Sequence, residues 1–488
     1  MSDTATSKVG SKLMARISRR VEEFLTELGE TDPNDLDGEK LERASLEIVK
    51  ELGLGLMEAV FRHADETAPE VTVNGAAWGN RQVTPGTYTV KYGTFTIDRS
   101  GYQQSGRGRA MFPVDKRLGV VEGRYSVGMA RVMAQTIAEM PAEQGEVYLK
   151  ELGLGVVSSS TLNRIPKDMA AVHEGDRDRI EGAVRREWHP PEGAHTVQAA
   201  MDGVMVAMDG EHAKPRGRPT KNPAQARHAR HYGETAEGPA DSDGKCAGYH
   251  EASVGTLSFF DENRECLGTL YIARMPEHRK ETLVAQLEAE LHAVLEDQPA
   301  LQVALASDGA LTHWEHLSGI QARLPDGVKS RQLLDFWHGA KYLFDAAKLV
   351  AEDEGAAHAL AESWRGSLRH RKDGADVVLR ALRYQRDTCT DDDVREELDT
   401  IVEFFAEHRR TGRLAYKEAT NEGFPIGTGN TEAAAKTVVN VRMKRAGARY
   451  DSHGGQTILT FRAALLSGRF DSTMREIINS YRADVLAA

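Results

Sequence analysis

Residues 199–209 read AAMDGVMVAMD, and residues 300–310 read ALQVALASDGA. Each is a short apolar run carrying an aspartate followed directly by glycine. In the first, Asp202 shares a face with Ala200, Val204 and Val206 while the other face is also apolar, which predicts a strand buried on both sides. A carboxylate placed there is costly unless something compensates its charge. In the second, Asp308 falls where ALQVALAS gives way to GA, at the C-terminal end of a predicted strand. Between the two lie the strand-like runs EASVGTLSFFD (251–261) and ECLGTLYIARM (265–275) and the amphipathic helix KETLVAQLEAELHAVLED (280–297). Beyond them come a helix, LTHWEHLSGI (311–320), and a further short apolar strand, RQLLDFWH (331–338). Three strands, helix, strand, helix, strand predicts a mixed sheet whose first strands pair as antiparallel hairpins and whose later strands arrive by crossover helices.

That order is the one expected of a ribonuclease-H-like fold, so the fold class is α/β. If the first and fourth strands are neighbours, Asp202 and Asp308 come together although far apart in sequence. Adjacent carboxylates repel unless a divalent cation lies between them. Glu432, in GTGNTEAAAK (427–436), supplies a third acid in the first turn of a predicted helix, where the helix dipole favours its ionised form. Oxygen donors suit Mg²⁺ or Mn²⁺ rather than zinc. Two such ions about 4 Å apart activate an attacking hydroxyl and stabilise the leaving oxygen of a phosphodiester. Taken singly, an Asp-Gly at a strand end is commonly a turn and a first-turn Glu commonly a dipole partner. The joint pattern is what points to catalysis.

The rest of the chain divides by composition. Residues 1–68 predict helices, with Leu13, Ile17, Val21, Phe24 and Leu28 on one stripe and Leu41, Ile48, Leu52, Leu56 and Val60 on another. Such stripes serve as core or dimer contacts. Residues 69–125 predict a small β-rich region, from the alternation in TYTVKYGTFTIDRSGY (87–102). Residues 126–190 predict short helices that fit either a helix-turn-helix or a plain bundle. In the first case Thr161, Asn163, Arg164 and Lys167 could reach a DNA groove, while Pro166 should kink or end their helix. The α/β core spans 196–338 with a polar loop at 209–248, a helical insertion fills 339–422, and 423–488 completes the core and adds a tail.

All 488 residues together carry a net charge of −12, which excludes a general polycation. Three cysteines build neither a disulfide framework nor a four-cysteine zinc site. With no signal-type N-terminus and no long apolar run, the expectation is a cytoplasmic protein without a membrane role. Basic residues are nevertheless concentrated locally. Residues 211–231 hold Lys214, Arg216, Arg218, Lys221, Arg227 and Arg230 against the single acid Glu211. The run KPRGRPTK (214–221) within it matches the AT-hook pattern, in which extended arginines enter a narrow minor groove. A solvated loop is the other reading. The helix after Glu432 brings Lys436, Arg442, Lys444, Arg445 and Arg449 with no acid among them, a face suited to phosphates.

Several segments together resemble bacterial insertion-sequence DDE transposases of the ISKra group. They are MDGVMVAMD, YHEASVGTLSFFD, TLYIARMPE, SDGALTHWEHL, LLDFWHGAKYL, GFPIGTGNTEAAAKTVVNVRMKR and GGQTILTFRAALLSGRFD, within 198–482. The resemblance implies that Asp202, Asp308 and Glu432 form a DDE triad holding two Mg²⁺ or Mn²⁺ ions. It implies a helical insertion between Asp335 and Glu432, and a mainly helical N-terminal DNA-binding region. The partners implied are terminal inverted repeats and target DNA, bound by a homo-oligomer in a bacterial cytoplasm. Asp335 and His338, in DFWH, match an acidic-x-x-His element of related groups and are accessory candidates beside a structural histidine reading. Relatives often carry a cysteine-paired zinc ribbon in the β-rich region, but residues 92–113 here contain no cysteine. No zinc is therefore expected, and a surviving hairpin must be held by packing. The alternatives are a domesticated DNA-binding regulator with the same fold, and a ribonuclease-H-like nuclease that cuts without joining.

Overall fold

A computed structural model describes residues 2–104, 108–154, 157–209 and 248–488. The chain is a mixed α/β protein with two sheets, and it divides into two compact units, 1–184 with 470–488 and 185–469.

The first unit opens with two long helices, α1 (Ser2–Glu30) and α2 (Gly38–Ala64). The turn between them is closed by Asp37, whose carboxylate caps α2 by accepting from the Lys40 amide. Leu13 lies against Gly55, Arg16 pairs with Glu51 at 2.6 Å and Lys40 with Glu27 at 3.1 Å, so the helices run antiparallel. Strands β1 (Val71–Val73), β2 (Ala76–Val90) and β3 (Gly93–Gln103) form an antiparallel sheet, which the C-terminal strand Val485–Ala487 extends along β1. Packing and polar contacts together hold the β2–β3 hairpin: Phe61 of α2 meets Tyr88 and Phe95, with ring centroids 4.6 and 5.2 Å away, Arg99 pairs with Asp115 at 2.9 Å, and the Ser100 amide donates to Asp65.

After α3 (Pro113–Leu118), three helices pack together: α4 (Val127–Glu139), α5 (Ala142–Glu151) and α6 (Ser159–Gly175). Ser158 caps α6 as its serines predict. Pro166 does not end that helix. It is buried in a helix that continues to Gly175, among Leu162, Ile165 and Met169, whose packing outweighs one missing backbone hydrogen bond.

In the second unit, which begins within α7 (Arg177–Glu187), the sheet comprises β4 (Thr196–Met208), β5 (Gly248–Phe260), β6 (Cys266–Arg274), β7 (Gln302–Ser307) and β8 (Ser330–Leu334). Its order is β6-β5-β4-β7-β8, antiparallel among the first three and parallel from β4 to β8. Helices α8 (Glu281–Asp297) and α9 (Leu311–Ala322) carry the crossovers and cover one face, where Val197, Ala199 and Met201 join Leu283, Leu287, Trp314 and Leu317. The helices α10 (Phe336–Val350), α11 (Glu354–His370), α12 (Gly374–Thr388), α13 (Asp392–Arg410) and α14 (Tyr416–Asn421) follow and share that core.

The other face is covered by α15 and α16 (Ser452–Leu466). Helix α15 runs Gly429–Ala434, widens to a π turn over Ala435–Asn440 and ends at Val441–Met443. Within the wide turn the carbonyl of Thr437 accepts from buried Arg462 of α16 at 2.7 Å, so the widened turn is satisfied from outside the helix. Val204, Val206 and Met208 of β4 pack here on Val438, Val439 and Met443. Among the described residues no helix is long and apolar enough to cross a membrane.

Gly145 tests the three-helix packing of the first unit. A Cβ there would lie 2.4 Å from Thr136 Cγ2 and 3.2 Å from Leu162 Cδ1, where α4, α5 and α6 meet. Gly145→Ala is expected to destabilise the unit by about 1–3 kcal/mol, read by urea unfolding.

Candidate active site

Asp202 and Asp308 stand together because of register. β4 and β7 pair in parallel from Thr196 opposite Gln302 to Ala200 opposite Ala306. Asp202 lies two residues past the last pair on β4, and Asp308 directly follows the end of β7, near enough for its charge to act on Asp202. β7 ends at Ser307, so the β7-facing edge of β4 opens where Asp202 lies. Further along that edge Tyr450 closes it again, exchanging backbone hydrogen bonds with Ala207 and Asp209 at 3.1 and 2.8 Å. The aspartates therefore occupy a notch between a finished strand and a returning loop.

Their surroundings push them in opposite directions. Burial raises the Asp202 carboxyl above the ordinary aspartate range, and the neighbouring charges of Asp308 and Glu251 add to it. The Gly203 amide, donating to Asp202 Oδ1 at 2.7 Å, opposes this. Asp308 is held well below that range, chiefly by His313, whose Nδ1 is 3.7 Å from Oδ1. That separation is too long for a hydrogen bond, so the contact is electrostatic. The Ala310 amide donates to the same oxygen at 3.2 Å, and the charge of His338 contributes as well.

Three residues missed by sequence reasoning complete this end of the sheet. Lys280 pairs with Glu251 and donates to His313 Nε2 at 3.1 Å. The opposite edge of the ring, at Nδ1, faces Ser307 and Asp308. Arg279 and Lys280 reach these positions with φ of 49° and 54°, two consecutive non-glycine residues in the left-handed region. Gly203 leaves room for Glu251, whose Oε1 would lie 2.1 Å from any Cβ there. The one visible signal was the turn PEHRK (276–280) ahead of a helix; nothing local announced Glu251 or His313.

Glu432 sits in the first turn of α15 as predicted, on the same sheet face as Asp202. Its neighbour Thr431 shares a 2.7 Å hydrogen bond with Thr256, and Thr256 pairs with Ala200 in the sheet. The loop before it is pinned by the core: Gln198 donates to the Gly427 carbonyl at 3.1 Å, and the Phe336 amide to the Ile426 carbonyl at 2.9 Å. The Glu432 side chain itself is exposed and pairs with Lys436 at 2.7 Å. Among the described residues no three His, Cys, Asp or Glu side chains are grouped as a metal site. Asp202 and Asp308 fit a hard divalent cation by donor type and by the mutual repulsion a cation would relieve. Glu432 stands on the correct face but outside that pair.

Asp335 caps α10, accepting from the Trp337 and His338 amides at 2.7 and 2.8 Å. Its second oxygen accepts from the Thr428 amide at 2.6 Å and from the Thr428 hydroxyl. With both oxygens engaged it acts as a staple between α10 and the Glu432 loop. His338 packs against Tyr342 and lies within electrostatic reach of Asp308. His408 of α13 is buried beside Trp314 and Phe404, and burial pushes it down to about 4. Phe404 presses on Gly309, where a Cβ would be 2.8 Å from its ring and φ is +111°.

The basic residues separate. Lys444, Arg445 and Arg449 are exposed, and Lys436 is exposed but paired with Glu432. Arg442 points inward, only 2% exposed, with burial lowering its pKa, and so leaves the expected phosphate face. Lys214, Arg216, Arg218 and Lys221 lie outside the described residues. On α6, Asn163 and Arg164 are exposed, with Arg164 bonded to Asp168 at 3.4 Å, while Lys167 is half-buried.

No protein-family model and no curated protein matches the sequence. Among solved structures, a pre-cleavage Mos1 transpososome aligns at 13% identity over 58% of this chain and 77% of that one, with a TM-score of 0.14. A score that low carries no argument here.

The opposed carboxyl shifts set a stability test. Because its folded pKa is raised, ionised Asp202 destabilises the metal-free fold above that pKa. Asp202→Asn should therefore stabilise the protein by about 1 kcal/mol at pH 8 in chelator, with the gain vanishing as pH falls through the raised pKa. Thermal melts at pH 4 and pH 8 check this. Asp335→Ala should cost roughly 3 kcal/mol in urea unfolding, since it strands buried backbone donors on both α10 and the Thr428 loop.

Proposed function

We propose that the chain is a metal-dependent DDE transposase with a ribonuclease-H-like core, cutting DNA at element ends and joining the freed 3′ ends to a target. The observation that carries this is that Asp202, on β4, and Asp308, just past the end of the parallel neighbour β7, are close enough for the charge of one to act on the other. The strand order β6-β5-β4-β7-β8 and a helix opening on Glu432 over the same face support it.

In this reading Asp202 and Asp308 hold Mg²⁺ or Mn²⁺, and Glu432 joins them by leaving Lys436. Bound cations would lower the pKa of an attacking water or 3′-hydroxyl and neutralise charge building on phosphorus. His313 keeps Asp308 ionised and ready to ligate, and Lys280 keeps His313 oriented. Glu251 balances the lysine, so the group adds little net charge beside an anionic substrate. Exposed Lys444, Arg445 and Arg449 lie just before Tyr450, which closes the notch, where they suit phosphates flanking the cut. The lysines and arginines of 214–221 follow β4 directly in sequence, and we assign them a minor-groove role in the same substrate.

The exposed, ion-paired Glu432 favours one competing reading, a DNA-binding regulator that keeps the fold without the chemistry. One assay separates the two. Labelled DNA carrying the element's ends is incubated with a target plasmid, Mg²⁺ and either the natural chain or Asp308→Asn. Joined product that falls by about a hundredfold or more in the variant supports the transposase. Cut but unjoined DNA supports a nuclease, and binding without cleavage by either protein supports the regulator.

A further inference from the structure

Four elements of the first unit surround a cavity of about 550 Å³, a volume within the range of small-molecule sites. One side is a face of α2 on which Glu47, Lys50 and Glu51 stand at spacings of three and four. The other sides come from Arg20 of α1, from Tyr92 at the turn between β2 and β3, and from Lys150 at the end of α5. Two glycines set the geometry. A Cβ on Gly53 of α2 would fall 2.6 Å from the Tyr92 ring, so a residue without one is needed for the ring to settle on the helix. Tyr92 is nevertheless 41% exposed, which leaves ring surface for a ligand. Gly153, just past α5, has a φ of +66°, and a Cβ on it would lie 2.8 Å from Lys50 Nζ. The Lys50 ammonium thus reaches the end of the helix that carries Lys150.

The charges around the cavity are mixed. Glu51 is held by Arg16 at 2.6 Å and by Arg20 at 3.7 Å, and Lys50 pairs with Glu47 at 2.8 Å. Lys150 is exposed, and among the described residues no acid pairs with it. Cations interleaved with carboxylates make a poor track for a nucleic-acid backbone, whose charges all have one sign. They suit one compact ligand with an anion at one end and hydroxyl or amino donors at the other, which carboxylates accept. A flat ring in that ligand would find the free surface of Tyr92. Bases within a duplex are stacked on one another and do not offer that face.

We propose that this cavity binds one free nucleoside phosphate, with its base on Tyr92 and its phosphate at Lys50 and Lys150. The phosphate competes with Glu47 for Lys50 and takes Lys150 without competition. Glu47, released in part from its lysine, and Glu51 accept from the ribose hydroxyls, the use to which a carboxylate is put in many nucleotide sites. Each end of the ligand then meets groups of the matching kind, and neither end alone fills the cavity. The proposal concerns the first unit only and does not rest on the catalytic reading, so it survives if that reading fails.

The test is calorimetric titration of the full chain with AMP in excess chelator, so that no metal at Asp202 and Asp308 can recruit the phosphate. One AMP per chain is expected, with a dissociation constant between about 10 µM and 1 mM. Lys150→Ala, an exposed change, should weaken AMP by about tenfold. Tyr92→Ala should weaken it by about as much, while Tyr92→Phe keeps the ring and should retain the natural affinity, which guards against a turn that merely misfolds. Inorganic phosphate should compete about a hundredfold less well than AMP, and a DNA duplex at equal nucleotide concentration should not displace it. No binding up to about 5 mM AMP would overturn the proposal. So would an affinity that ignores Lys150→Ala and Tyr92→Ala, a Tyr92→Phe chain as weak as Tyr92→Ala, phosphate competing as well as AMP, or displacement by the duplex.

Discussion

The second unit is organised around a repulsion. Two carboxylates are brought near each other by neighbouring parallel strands, Asp202 from within β4 and Asp308 from the turn that follows β7. Asp202 is fixed by a strand that is hydrogen-bonded to β5 along its whole length. Asp308 is fixed by the end of β7 and by the start of α9. The surroundings answer the repulsion unequally, through burial at Asp202 and through His313 and backbone donors at Asp308. Much of the nearby detail follows from that inequality: the Lys280 contact that orients His313, the strained turn that delivers Lys280, and the glycine that admits Glu251.

A second constraint fixes the third acid's address. The loop 422–428 crosses the sheet's interior face with its carbonyls tied to Gln302, Gln198 and the Phe336 amide. Buried glutamines in a β-sheet core are costly unless bonded, and these have a use in holding an irregular chain segment. Asp335 finishes the attachment by joining α10 to Thr428. The start of α15 is thus set by polar groups that belong to the sheet, while the exposed end of Glu432 keeps its rotamer freedom.

Much of the second unit's secondary structure was legible in the sequence because its strands announce themselves by apolar runs, and its helices by amphipathic spacing. The three acids drew notice because each breaks a pattern that is otherwise apolar or begins a helix, and the structure brings two of them, Asp202 and Asp308, near each other. Glu251, Lys280 and His313 did not, because each sits in an ordinary polar position and acquires its meaning from contacts across the sheet. Arg442 misled because a run of basic residues says nothing about which of them the helix turns inward, and a π turn shifts that phase. Pro166 misled because propensity is a local quantity and burial is not.

The contact between Gly309 and Phe404 has a consequence for how the long run of helices should be regarded. Those helices interrupt the sheet domain in sequence, yet one of their rings is the wall against which the Asp308 turn is moulded, and Phe404 in turn stacks on Tyr342 at 4.3 Å. They are not an appendage that could be trimmed to leave the sheet as it is. Excision would leave the turn without its backstop, so the sheet and its helical guest must fold, and have been shaped, as one body.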